Sequence, residues 1–426
     1  MLATHLATRL AHRGIHYGWV MVGLTFLVSV CTSAAVSLPG VLLVPMTEEF
    51  GWGRAAVSGA MGVMFCLFAL MAPFAGALMI RYGLRRVVSA ATVIAVSAVI
   101  GLTLVTEPWQ VWICLAALGA AAGMVALVLS ATVANRWFAE RRGLVMGMLT
   151  AAFAAGQLTF LPAAAALSSA YGWRMAILPA IIGLAICAVL YLLFARDWPA
   201  QLNLPPYGAK TLTPPAAPAA ANVLTLSLTV LGESLRNRVF WVLAGTFFIC
   251  GLSSTGIVSQ HFIPFCGDMG VSAVTAASFL AMMGIFNFMG TVASGWLSDR
   301  FDNRALLAWY YGLRGLSLIW LPFSNFDLYS LTLFAVFFGL DYVATVPPTV
   351  KLAALHFGPE KAAIVFGWAF AAHQLGSAVS AAMGGVWRDV AGSYGPAFIT
   401  VGMISVSAAL AVLTLHDARG RAVRAA

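Results

Sequence analysis

The stretch Ser294-Gly-Trp-Leu-Ser-Asp-Arg-Phe-Asp-Asn-Arg304 is a short charged turn between two long apolar runs. A weaker copy, Gly76-Ala-Leu-Met-Ile-Arg-Tyr-Gly-Leu-Arg-Arg86, lies about 219 residues earlier in the same setting. Alignment of the copies places Gly76 on Gly295, Leu78 on Leu297, Arg81 on Arg300 and Arg85 on Arg304. A charged loop repeated at half the chain length predicts two similar halves.

Composition sets the solvent. Of 426 residues, 62% are hydrophobic and 9% charged, against roughly 45–50% and 25% in soluble domains. Apolar runs of about 20 residues recur, each long enough to cross a ~30 Å hydrocarbon core as a helix. Lipid offers no partners to backbone N–H and C=O groups, so such runs must be helical. The expected fold is an all-α polytopic membrane protein. Spans are expected near 17–43, 54–80, 84–106, 109–135, 142–168 and 174–195, then near 239–266, 272–297, 305–323, 328–350, 361–387 and 395–415. That makes twelve transmembrane helices in two pseudo-symmetric six-helix halves, residues 1–195 and 239–426. The linker between them, 196–238, carries Pro199, Pro205, Pro206, Pro214, Pro215 and Pro218 and reads as extended.

A net charge of +9 raises the question of nucleic acid, and the distribution of charge answers it. One side of the predicted membrane receives the arginines of both repeated loops, Arg136, Arg141, Arg142, Arg196, both tails and the linker; the other receives only Arg54, Arg174 and Arg388. Positive charge stays inside, so both termini and both repeated loops are expected on the cytoplasmic face of the inner membrane. The first apolar run has no cleavage-site pattern and reads as a retained helix. The six cysteines lie within or at the ends of spans without a C-x-x-C pair, and read as small buried hydrophobes.

The repeat continues beyond the loop. Glu140-Arg-Arg-Gly-Leu-Val-Met-Gly147 aligns with Glu360-Lys-Ala-Ala-Ile-Val-Phe-Gly367, and Gly156 falls on Gly376. Gly295-x-Leu-x-Asp-Arg-x-x-x-Arg304 resembles the loop between the second and third helices of each half in the major facilitator superfamily. The copy at Gly76 keeps Gly83 but has Ile80 in place of the usual acid. His16-Tyr-Gly-Trp19, and Asn135-Arg-Trp-Phe138 with Arg141-Arg142-Gly143, resemble the bacterial monocarboxylate-porter-like branch. The resemblance implies two halves rocking about a central cavity. In it Asp299 would accept amides of a neighbouring helix, while Arg300 and Arg304 would bridge carboxylates across the seam between halves. With Arg81, Gly83 and Arg85 these form the expected gating loops. The branch commonly carries an arginine in the eighth helix, where this chain has Thr291, four residues after Asn287. Some of its anion exchangers use a lysine in helix eleven, where this chain offers His373 and Gln374.

Ionisable groups deep in a span are costly, which makes each a functional candidate. Arg314 and Asp341 both lie about 10 residues, or ~15 Å, from the arginine-rich face, and pair either as a structural tie or around a proton or substrate site at Asp341. His373 replaces Phe153 of the first half and adds a titratable group, for proton coupling or for an interhelical bond. Asn287, Gln157 and Gln374 suit either substrate contact or helix–helix bonding. Gln260 and His261 are placed toward the outer end of helix seven, at a mouth or at an interface. Pro347-Pro348 removes two backbone donors near the inner end of helix ten and should kink it. No phosphate-binding G-x-x-x-x-G-K-[ST] loop, catalytic triad or metal-ligand set occurs, so no cofactor or enzymatic activity is expected. The expected function is a monomeric secondary transporter moving a small organic solute, such as a monocarboxylate, by alternating access in symport with protons. Efflux of hydrophobic drugs or metabolites by proton antiport is the alternative.

Overall fold

The computed structural model describes residues 2–125, 127–212 and 222–415. A short helix, α1 (Leu2–Ala11), precedes α2 (Gly18–Phe50), α3 (Arg54–Tyr82), α4 (Leu84–Thr103), α5 (Pro108–Val125), α6 (Leu127–Trp137), α7 (Arg142–Tyr171) and α8 (Trp173–Phe194). After α9 (Asn222–Ser234) come α10 (Arg238–Gly251), α11 (Ser259–Asp268), α12 (Ala273–Arg300), α13 (Asn303–Trp320), α14 (Leu328–Asp341), α15 (Val346–Phe357), α16 (Pro359–Ala391) and α17 (Gly395–Leu413). Among the described residues nine helical stretches are apolar and long enough to cross a membrane. Their outward faces are apolar too: Ile182, Ile186 and Val189 on α8 and Phe288, Met289 and Val292 on α12 are each more than 45% exposed. Such a surface is stable only against lipid. The protein is a multi-pass membrane protein.

Two contacts recur about 220 residues apart, as a duplicated bundle requires. A Cβ on Gly156 would collide with Val30 O of α2, and one on Gly376 would collide with Phe248 O of α10. Gly119 abuts Met64 O and Gly339 abuts Met283 O in the same way. Hydrogen at these positions lets backbones touch, which is how helices gain dispersion energy in a solvent as apolar as themselves. Arg85 Nε donates to Leu192 O near the end of α8, and Arg304 Nη1 to Leu415 O just beyond α17, so the two repeated loops tie to places that also recur about 220 residues apart.

The linker differs from expectation. Its prolines stop at Pro218, and the proline-free, leucine-rich stretch beyond them is helical as α9. Val230 of α9 is buried against Phe240, Leu243 and Val365, Trp368 Nε1 donates to Ser227 O, and Glu233 pairs with Lys361. The start of the linker is docked as well. His16 Nε2 donates to Pro205 O at 2.9 Å, and the rings of His16, Trp19 and Phe138 surround Tyr207. The two short motifs that carried the branch resemblance therefore meet in space.

His16 also has Nδ1 accepting from Gly18 N–H, which requires the neutral ring. Burial lowers its pKa below the ordinary 6.5, partly offset by the bond to Pro205. A depressed histidine pKa contributes stability that is complete above 6.5 and is lost as pH falls through the lower folded value. Amide exchange of residues 203–208, corrected for intrinsic rate, is therefore expected to accelerate on acidification, and His16→Phe to abolish that dependence. An unchanged profile in the variant would remove His16 as its origin.

The cysteines are less uniform than their composition suggested. Cys66 is exposed, Cys31 and Cys114 are half-buried, and Cys250 is buried as a polar partner.

Candidate functional site

Pro347 and Pro348 lack the N–H groups that would continue helix ten, and the helix breaks between α14 and α15. The freed backbone groups must find other partners in the absence of water. Three side chains supply them. Arg314 Nη2 donates to Asp341 O at 2.6 Å and to Tyr342 O at 3.2 Å; Asn287 Oδ1 accepts Val343 N–H at 3.1 Å; Ser294 Oγ donates to Ala344 O at 2.6 Å. The break is thus stitched to α12 and α13.

Arg314 Nε donates to Asp341 Oδ2 at 2.5 Å, while Nη1 reaches Cys250 Sγ at 2.9 Å and Ser253 Oγ at 3.3 Å. All five guanidinium donors are used, and the arginine side chain is fully buried. The second carboxylate oxygen, Asp341 Oδ1, is buried without a protein partner. Thr291 Oγ1 donates to Asn287 Oδ1. Asn287, Ser259, Tyr342, Met283 and Leu161 line a cleft of about 10 Å³ where α7 of the first half meets the second, room for about one water. Ser259 and Tyr342 hydroxyls meet there at 2.5 Å.

His373 lies on α16 with its ring stacked on Phe370 and tilted against Phe247, and its Nδ1 has no partner. Gln374 beside it is buried with Oε1 unpaired. Gln260 is buried where the backbone of α2 at Gly40 presses on α11, again with Oε1 unpaired. His261 is not at a mouth. It is wholly buried, its Nε2 bonds Ala381 O at 2.7 Å, and it bridges α11 to α16 within the second half. The side chains of Gln157 and Asp299 lie outside the described residues.

The gating-loop arginines form no described bond across the seam. Arg300 lies over the Trp296 ring and bonds Trp296 O; Arg304 pairs with Asp302 and bonds Leu415 O. The described polar contacts of α3 with α11 and α16 lie at the opposite end of the bundle. There Asp389 of α16 caps the N-terminus of α3, accepting Ala55 N–H at 2.8 Å and Arg54 N–H at 3.3 Å. Arg54 forks onto both oxygens of Asp268 at 2.8 and 3.0 Å, and Arg388 Nε reaches the same carboxylate at 2.6 Å. Below this network Ser58 Oγ donates to Ala382 O, and Gly385 and Gly62 allow α3 and α16 to touch. Sequence reading treated Arg54 and Arg388 only as exceptions to the charge bias. That both stand on the arginine-poor side, beside Asp268 and Asp389, was the available signal.

Comparison with known proteins bears on this arrangement. The Major Facilitator Superfamily sequence profile matches residues 25–381 and 288–424. The chain belongs to the major facilitator superfamily. It is 26% identical over 386 residues to the uncharacterized MFS-type transporter YcxA of Bacillus subtilis (strain 168), covering 88% of this chain and 90% of that protein. It is 24% identical over 402 residues to monocarboxylate transporter 13 of Rattus norvegicus, covering 94% and 89%, and 23% identical over 423 residues to monocarboxylate transporter 12-B of Danio rerio, covering 94% and 87%. This superfamily member is a transporter, and not an enzyme.

Proposed function

We propose that the chain is a secondary transporter that carries a small monocarboxylate across the cytoplasmic membrane by alternating access, coupled to protons. In this reading it has twelve spans, with α7, α13 and α16 completing the set, and both termini are cytoplasmic. The halves are residues 1–195 and 239–426, tilting about the seam between them. The observation that carries the reading is a group of buried, unpaired polar atoms in the second half: Asp341 Oδ1, His373 Nδ1, Gln374 Oε1 and Gln260 Oε1. Unpaired polar atoms away from water are expensive, so they mark places that a ligand or water satisfies during the cycle. His373 and Asp341 are the proton-coupling candidates of the proposal, and Gln374, Gln260 and Asn287 its hydrogen-bonding contacts. The names of the relatives support the substrate class.

Uptake of a short monocarboxylate into proteoliposomes is expected to rise with an inward proton gradient and to collapse with an uncoupler. In His373→Ala the gradient should no longer accelerate uptake. Gln374→Leu should raise KM about 3- to 10-fold, the worth of one hydrogen bond. Uptake indifferent to both the uncoupler and His373→Ala would remove proton coupling.

One observation favours efflux of an apolar solute as the second reading. Arg314 has no donor to spare and residue 291 is a threonine, so neither of these positions in the second half offers a cation to a carboxylate. A deletion strain sensitive to hydrophobic toxins, yet growing normally on organic acids, would select that reading.

A further inference from the structure

Beside the loop Gly76–Arg86, at the arginine-rich end, lies an open cavity of about 680 Å³. Arg81, Arg85, Arg86, Arg136 and Arg196 line it, with Asp197 as the acid among its lining residues. That carboxylate is already committed. Its Oδ1 accepts Arg85 N–H at 2.8 Å at the start of α4, and it sits against Gly83, whose φ of +86° and crowding by Asp197 admit no side chain. None of the five guanidinium groups forms an ion pair among the described residues.

Carbonyls and rings hold four of these arginines in position without neutralising them. Arg85 donates to Leu192 O, Arg136 lies 4.4 Å over the Trp198 ring, Arg196 bonds Leu193 O and Ala195 O, and Arg81 lies over Tyr82. The equivalent position in the second half behaves differently, because Arg304 is paired with Asp302. Five like charges gathered around one occupied carboxylate repel one another, and a bound anion would reverse the sign of that interaction. Planar guanidinium forks match phosphate oxygens in particular.

A second observation points to the source of the phosphate. The exposed apolar side chains of Ile186, Val189 and Leu192 follow one another along α8, and Leu192 itself lines the cavity. A charged recess with an apolar track leading from it fits a molecule with an anionic head and a hydrocarbon tail. The volume lies within the usual range for ligand pockets and exceeds what a lone phosphate fills. We infer that this cavity is a phosphate-binding site occupied by the headgroup of an anionic phospholipid whose acyl chains lie along α8.

The test uses full-length protein in detergent, titrated with phosphatidylglycerol, phosphatidylcholine or inorganic phosphate, with bound lipid counted by native mass spectrometry and stability read by thermal shift. Phosphatidylglycerol is expected to bind and stabilise, phosphatidylcholine much less, and Arg86→Gln with Arg196→Gln to lower phosphatidylglycerol affinity about tenfold. Arg86→Gln alone serves as the milder variant, because Arg86 has no hydrogen-bond or ion-pair partner among the described residues and its loss leaves the fold intact. Inorganic phosphate that stabilises where phosphatidylglycerol does not would overturn the lipid as occupant. Equal binding of both lipids to wild type and variants would overturn the site.

Discussion

Arg314→Met is expected to destabilise the protein by about 3–5 kcal/mol, the cost of leaving one partner of a buried ion pair alone. The loss is larger than for an ordinary pair, because the guanidinium serves three structures at once. It neutralises Asp341, bonds the carbonyls of Asp341 and Tyr342 at the break between α14 and α15, and holds Cys250 and Ser253 of the neighbouring helix. Arg314→Lys should recover little, since one ammonium cannot reach five acceptors in fixed directions. The double variant Arg314→Met/Asp341→Leu should recover part of the loss by removing the orphaned charge, leaving the carbonyl term. Thermal unfolding in detergent checks all three. If Arg314→Met melts like wild type while transport fails, Arg314 acts on substrate and not on the fold.

The second large effect is expected at the arginine-poor end. Asp268→Asn removes the carboxylate that Arg54 and Arg388 share and leaves two cations facing each other across the seam. Hydrogen bonds to charged groups are each worth about 1.5–3 kcal/mol. Loss of one such increment shifts a two-state equilibrium about 10- to 100-fold toward opening at that end. Gly385→Val should act in the same direction by a different cause, since its side chain would drive into Ser58 and Arg54 O. Labelling of a Ser58→Cys variant by a membrane-impermeant maleimide, with the native cysteines replaced, measures the opening. Both variants should label much faster than their parent. Equal rates would mean that these contacts do not close the seam.

Much of this was legible in the chain. Hydropathy located the helices because lipid leaves the backbone no alternative to helix, and the loop at Ser294–Arg304 with its copy at Gly76–Arg86 exposed the duplication. Arg314 and Asp341 could be matched by depth alone, since two charges at one level in hydrocarbon have few other partners. The break at Pro347 followed from proline chemistry. What was not legible depends on which surfaces face each other. Arg54, Asp268, Arg388 and Asp389 sit at span ends, where a charge costs little and carries no local sign of its partner. The helix α9 was hidden by the proline density just before it. Cys250 reads as a small hydrophobe until Arg314 is placed against it, and the choice between a mouth and an interface for His261 waits on the placement of α16.

Alternation between two ends of the seam is tested most directly by spin-label distances in liposomes, with native cysteines replaced. One pair, Glu107→Cys with Ala391→Cys, spans the halves at the arginine-poor end. The other, Tyr82→Cys with Phe301→Cys, spans them at the repeated loops. Alternating access predicts that substrate or acid pH changes the two distances in opposite directions, and that Asp268→Asn lengthens the first while shortening the second. Distances that stay fixed, or that lengthen together, would contradict it.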